Sequence, residues 1–92
     1  GSMVKLNKPA QAGTVESSDI LISVSPAEAG AGIMIELTSP TLQQYGEQIR
    51  ALILKTVQEM GIQDACIYAN EKGALDCTIE ARVKTAIARA MA

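Results

Sequence analysis

Lys72-Gly73-Ala74-Leu75-Asp76-Cys77-Thr78-Ile79-Glu80-Ala81-Arg82-Val83-Lys84-Thr85-Ala86-Ile87-Ala88-Arg89-Ala90 carries two periodicities in one stretch, and the choice between them decides the fold. Leu75, Cys77 and Ile79 alternate with Asp76, Thr78 and Glu80, the two-residue period of a half-buried strand. Ile79, Val83, Ala86, Ile87 and Ala90 recur at helical spacing. Divided near Ala81, the stretch predicts a strand and then a helix, with Lys84 and Arg89 in the C-terminal half, where positive charge complements the helix dipole. Just upstream, Ala65-Cys66-Ile67-Tyr68-Ala69 reads as a strand and Asn70-Glu71-Lys72-Gly73 as a turn cluster, so the two strands form a hairpin. That register sets Cys66 across from Cys77, as reduced, buried thiols rather than a disulfide in a reducing compartment.

Working back towards the N-terminus, Ile20, Ile22 and Val24 alternate with Leu21, Ser23 and Ser25. Ile33, Ile35 and Leu37 alternate in the same way with Met34, Glu36 and Thr38. The Pro26 to Gly32 segment breaks the pattern between them, so these two runs predict an antiparallel hairpin with a loose loop. Ser39-Pro40 supplies a helix start, a capping hydroxyl followed by a proline whose missing N–H costs nothing in the first turn. Leu42, Tyr45, Ile49, Leu52, Ile53, Val57 and Met60 then form one apolar stripe, closed by Gly61. Gly46 interrupts this helix at a cost of about 1 kcal/mol relative to alanine, and close packing on the chain's own sheet is the reading that explains it.

The predicted fold is an α+β two-layer sandwich in the order strand-strand-helix-strand-strand-helix. Its four-stranded mixed sheet carries both helices on one face, with strands two and three joined by a right-handed crossover if they lie parallel. The other face would present Leu21, Met34 and Ile67 among polar neighbours, either as a docking surface or as ordinary scattered apolar residues.

Residues 1–13 read as a scar and a flexible N-terminal arm, and residues 14–92 as one domain. Gly1-Ser2 before Met3 has the form of a cleavage remnant, and Lys5, Lys8, Pro9 and Gly13 follow no sustained period. The arm leads into Ala12-Gly13-Thr14-Val15-Glu16-Ser17-Ser18-Asp19, two adjacent hydroxyls flanked by carboxylates at the start of a strand. An exposed serine there can be modified, but from the residues alone the favoured reading is the hydrogen-bonded turn that Ser and Asp make in such a place.

Composition narrows the function. With 92 residues, 48% of them hydrophobic, the chain can bury one modest core. Two tyrosines and a net charge of -2 provide neither base-stacking side chains nor a phosphate-binding surface, so nucleic acid is not an expected partner. There is no histidine, and Cys66 and Cys77 have no second pair. Neither a zinc site nor a Ser/His/Asp or Cys/His catalytic group can therefore be assembled, and no metal is expected. No apolar run approaches a bilayer span and no signal-peptide order is present, so the expected location is cytoplasmic, away from membranes.

AGTVESSD leading into ILISVSPAE, the helix with QQYGEQIR, and the run KGALDCTIEARVKTAIARA together resemble the acyl carrier protein of citrate lyase, its small gamma subunit, from about Ala10 to Ala90. The resemblance implies a non-catalytic carrier with a covalent prosthetic group, 2'-(5''-phosphoribosyl)-3'-dephospho-coenzyme A, on the serine directly after the motif's glutamate. That serine is Ser17, with Ser18 as the rival. Glu16, Ser18 and Asp19 would be recognition elements for the modifying transferase, or else solvated turn residues. The resemblance further implies an acetyl thioester on the arm, exchanged for citryl by the acyltransferase alpha subunit and cleaved by the citryl lyase beta subunit during citrate fermentation. Its implied partners are those two subunits, the prosthetic-group transferase and an acetylating ligase.

The Asp-Ser-Leu attachment motif of four-helix acyl carrier proteins is missing, and the strand-rich pattern does not fit a helical bundle. Three other readings remain at this point: the related carrier subunit of malonate decarboxylase, a structural interaction domain in which Ser17 is never modified, and, weakest for want of histidine and of any clustered nucleophile and base, a free-standing enzyme. The ESSD form of the motif and KGALDCTIEAR favour citrate lyase.

Overall fold

A computed structural model describes residues 5–92; residues 1–4, which include the Gly1-Ser2 pair read from sequence as a cleavage remnant, lie outside the described residues. The chain folds as β1 (Ala10–Gly13), β2 (Ile20–Pro26), β3 (Ile33–Thr38), α1 (Leu42–Glu59), β4 (Ala65–Glu71) and α2 (Asp76–Met91). The α+β class, the mixed four-stranded sheet and the helix layer agree with the sequence reading. The order of elements differs, because the fourth strand comes from the N-terminus rather than from residues 75–80.

Helical period prevails in the opening stretch because it buries one continuous stripe. Ile79, Val83, Ala86, Ile87 and Ala90 are all buried, whereas Leu75 is 70% exposed and Cys77 is exposed. A strand would have placed Leu75 and Cys77 on the same face as Ile79, so the exposure of both fits only the helix. The expected Cys66–Cys77 pairing disappears with the hairpin. Cys66 is half-buried on β4, Cys77 lies in the first turn of α2, and both are free thiols.

Residues 5–13, read from sequence as a flexible arm, are built into the fold. Leu6 joins the core, and the N–H groups of Asn7 and Lys8 donate to the Ala90 carbonyl at 2.8 and 3.2 Å. Asn7 Nδ2 donates to the Met91 carbonyl at 2.9 Å, so this strap supplies donors to the carbonyls that a helix C-terminus leaves unpaired. β1 then pairs antiparallel with β2, and Ala12 is buried opposite Ile22.

The strand order is β1-β2-β4-β3. β4 is antiparallel to β2 and parallel to β3, so the expected β2–β3 hairpin does not form. β4 has the most fully buried inner face, Ala65, Ile67, Ala69 and Glu71, which suits it to a central position. β3 only half-buries Ile33 and Ile35 and lies at the edge. Ile67 is consequently in the core and not on the open face, which instead carries Leu21, Met34, Cys66 and Tyr68.

In α1 the buried residues are Gly46, Ile49, Ile53, Thr56 and Val57, so the stripe is rotated from the expected one and leaves Leu42 and Tyr45 exposed. Ser39 is not the cap itself; its hydroxyl accepts from Thr41 N–H at 3.1 Å in the turn before the helix. Gly61 has φ 81°, the left-handed conformation that ends a helix, as expected. Gly46 does not admit the sheet; an added Cβ would meet only the Leu42 side chain, at 3.1 Å.

Candidate functional site

Thr14 to Asp19 form the exposed connection between β1 and β2, with Ser17 and Ser18 at its turn. It is a braced loop rather than a slack one. Asp19 Oδ2 accepts from the Thr14 hydroxyl at 2.6 Å, and Oδ1 accepts from Ile20 N–H at 2.7 Å. The Thr14 hydroxyl also accepts from Glu16 N–H at 3.2 Å, which curls the front of the turn. Arg82, from α2, donates to both oxygens of the same carboxylate. These contacts hold the Asp19 carboxyl down from 3.8 to about 2, the Thr14 hydroxyl acting most strongly, then Ile20 N–H and the Arg82 guanidinium.

The turn is also sewn to the β4–α2 connection. Ser18 N–H donates to the Lys72 carbonyl at 2.7 Å, and Lys72 N–H donates to the Asp19 carbonyl at 2.9 Å. Ser18 adopts φ 65°, which few side chains other than Gly, Asn and Asp take readily. Gly13 enters the turn at φ 97°; a Cβ there would collide with the Ile20 carbonyl and press on Arg82. Both serines are exposed, and neither hydroxyl is hydrogen-bonded among the described residues. Ser17 differs from Ser18 in that its backbone is not tied across to Lys72.

Lys72 lies between residues that are tied to each other. Glu71 is a buried carboxylate that accepts from Gly73 N–H at 2.6 Å, Ala74 N–H at 2.5 Å and the Ser39 hydroxyl at 2.7 Å. One side chain thereby joins the turn before α1 to the turn before α2, next to the residue that holds the serine loop. Sequence reading placed Glu71 only in a turn cluster and gave Arg82 no part. No local signal marks Arg82, whose partner Asp19 is 63 positions away; Glu71 caps the Gly73 and Ala74 N–H groups of its own turn, and only its bond to Ser39, 32 positions away, lies beyond local reading.

Among the described residues there is no cluster of three His, Cys, Asp or Glu side chains that could hold a metal, and no helix long and apolar enough to cross a membrane. Among the described residues the Ser17 hydroxyl is hydrogen-bonded to no carboxylate or other base, which suits a residue that is acted upon.

The family model described as malonate decarboxylase delta subunit (MdcD), an acyl carrier (ACP) family, matches residues 7–90. The class of protein is therefore the small acyl-carrier subunit, a carrier rather than an enzyme. The citrate lyase acyl carrier protein of Lacticaseibacillus casei is 48% identical over 87 residues, covering 95% of this chain and 84% of that protein. Its counterpart in Pectobacterium atrosepticum is 42% identical over 87 residues, covering 95% and 88%. The chain belongs to the citrate lyase acyl carrier protein family. In fold it is similar to a chain in the crystal structure of a Pseudomonas malonate decarboxylase hetero-tetramer in complex with malonate, with TM-score 0.76 over 96% of this chain and 89% of that one, at 14% identity.

Proposed function

We propose that this chain is the acyl carrier subunit of citrate lyase and that Ser17 is the residue to which its prosthetic group is attached. The observation that carries the reading is the contrast between a turn braced by Arg82, Thr14 and Lys72 and a Ser17 hydroxyl at its surface that nothing engages. An unengaged hydroxyl can enter another enzyme's active site without breaking a native hydrogen bond. When attached, 2'-(5''-phosphoribosyl)-3'-dephospho-coenzyme A supplies a terminal thiol that holds an acyl group as a thioester during cleavage of citrate to acetate and oxaloacetate.

This chain's contribution is positional. Ser17 Oγ anchors the arm through a phosphodiester, and the braced turn fixes the origin of the arm on the domain. Docking of the domain to the acyltransferase alpha and citryl lyase beta subunits then raises the local concentration of the arm's end at each active site. The chemistry is left to those partners.

The test is intact-mass spectrometry with peptide mapping after incubation with the prosthetic-group transferase and the cofactor precursor. Addition on the Ser17 peptide, lost in Ser17→Ala and kept in Ser18→Ala, is the expected result. Addition lost only in Ser18→Ala moves the site by one residue, and no addition to folded protein by a transferase active on a control carrier removes the carrier function.

The description of the matching family model favours a second reading, the carrier subunit of malonate decarboxylase. Identities of 42% and 48% to citrate lyase carriers weigh against it. Reconstitution with each set of partner subunits separates the two, since only the correct set recovers turnover.

A further inference from the structure

The C-terminal ends of β3 and β4, the N-terminal end of β2 and the N-termini of α1 and α2 all lie at the end of the domain that carries Ser17. Seven large apolar side chains are exposed among the described residues, and four of them, Val15, Leu42, Tyr45 and Leu75, are at this end. Val15 is on the serine turn itself. Leu75 immediately precedes α2 and is 70% exposed; Tyr45, 51% exposed, lines a groove shared with Gly73, Ala74 and Asp76. Leucine and tyrosine exposed to water at the same end of the domain as a modifiable residue suit a surface that a partner covers.

Resting on the carrier reading, we infer that this end is the docking face for the transferase that installs the prosthetic group, with Leu75 and Tyr45 as its apolar anchors. The choice of partner follows from reach. Subunits that act on a finished arm dock the domain but take only the far end of the arm into their active sites, so they need not cover the residues around Ser17. The installing enzyme has no arm to work through and must bring Ser17 Oγ itself to the phosphorus it attacks, so it covers the residues around Ser17. In that step the Ser17 O–H proton leaves to a base of the transferase, the new O–P bond forms, and the donor's phosphate-bearing leaving group departs with the electron pair of the broken bond.

Charge agrees with this assignment. A site that handles a phosphorylated donor is lined by cationic side chains. Of the exposed charged residues on the β1–β2 connection and from Lys72 to Asp76, Glu16 and Asp76 are acidic and Lys72 is basic. This net negative balance offers such a rim its complement, and Asp76 lies next to Leu75 and in the groove with Tyr45.

Transferase kinetics on the full apo chain, with the cofactor precursor as donor, test the inference. Leu75→Ser and Tyr45→Ser are each expected to raise KM for the protein about tenfold with kcat little changed, as loss of a central interface anchor does. Met34→Ser, on the open sheet face, is expected to leave both constants unchanged. Asp76→Lys should raise KM most at low ionic strength. All four positions are exposed, and circular dichroism verifies that each variant is folded. Unchanged KM in both anchor variants, or an equal rise in Met34→Ser, overturns the inference while modification of Ser17 leaves the carrier reading intact. A concentration-dependent dimer of the wild type, lost in Leu75→Ser without a change in KM, overturns it in favour of a second copy of the chain. A wild-type protein that an active transferase does not modify fails earlier and removes both.

Discussion

Arg82 Nε and Nη2 grip Oδ1 and Oδ2 of Asp19 at 3.2 and 3.1 Å, joining the second turn of α2 to the loop that presents Ser17. Asp19 is the better shielded partner, with 15% side-chain exposure against 41% for Arg82. The folded state holds the Asp19 carboxyl at about 2, below its ordinary 3.8, so ionisation favours folding. That contribution is complete well above 3.8 and is lost as the pH falls through about 2. Urea unfolding midpoints are expected to fall across this window in the wild type. Asp19→Asn should start from a lower midpoint at neutral pH and decline less; matching pH profiles would show that the grip does not stabilise the fold.

Gly13→Ala tests the entry to the same turn. Positive φ and the collision with the Ile20 carbonyl both oppose a side chain, so a loss of at least about 2 kcal/mol is expected in denaturant unfolding. Arg82 lies on the third side of that space, with its Cδ 3.2 Å from the added carbon. The Asp19 grip should therefore weaken as well, which a rise in the Asp19 carboxyl pKa measured by NMR would reveal. A stability change near zero would mean that the turn has another conformation open to it.

Glu71→Gln replaces one acceptor oxygen by a donor where two backbone N–H groups and a hydroxyl converge. With its oxygen turned to the Gly73 and Ala74 N–H groups, the amide presents its NH2 to the Ser39 hydroxyl, which can accept by turning its own proton away. The loss is that of the charge-assisted hydrogen bonds, and the expected cost is about 1–2 kcal/mol. Hydrogen exchange should report the loss first at Gly73 and Ala74 and then at Ser18, through Lys72. Protection unchanged at Ser18 would show that the serine turn is held independently of Glu71.

Gly46→Ala has the opposite expected sign. Its new methyl meets only the Leu42 side chain, Cδ1 at 3.1 Å and Cγ at 3.5 Å, and Leu42 is 43% exposed and free to move aside. The gain in helix propensity then prevails, for a stabilisation of about 0.5–1 kcal/mol. A destabilised variant would mean that Leu42 is held in place by contacts worth more than that gain.

Local periodicity made most of the elements legible. Ile20, Ile22 and Val24 on one strand, Ile33 and Leu37 on another, and Ile49, Ile53 and Val57 on the first helix are spaced by the geometry of their own backbone, and all fall in the elements expected of them. The segment from Leu75 to Glu80 misled because six residues can satisfy both periods; packing of Ile79 and Val83 in one buried stripe decided for the helix. Ala10 to Gly13 misled in the other direction. A short edge strand of small and polar residues carries almost no pattern, and its backbone hydrogen bonds depend on what lies beside it.

By itself, then, the sequence determined the α+β class, the two helices, three of the four strands, the serine turn and membership of a carrier family, since each is written in spacing or in recognisable residues along a continuous stretch. Only the tertiary structure decided that β4 separates β2 from β3, that the N-terminal segment completes the sheet, and that Arg82 and Glu71 hold the loop bearing Ser17. Strand pairing uses backbone groups that every residue possesses, so side-chain pattern does not name the neighbour. An ion pair spanning 63 positions has no spacing rule to announce it; folding alone brings Asp19 and Arg82 together.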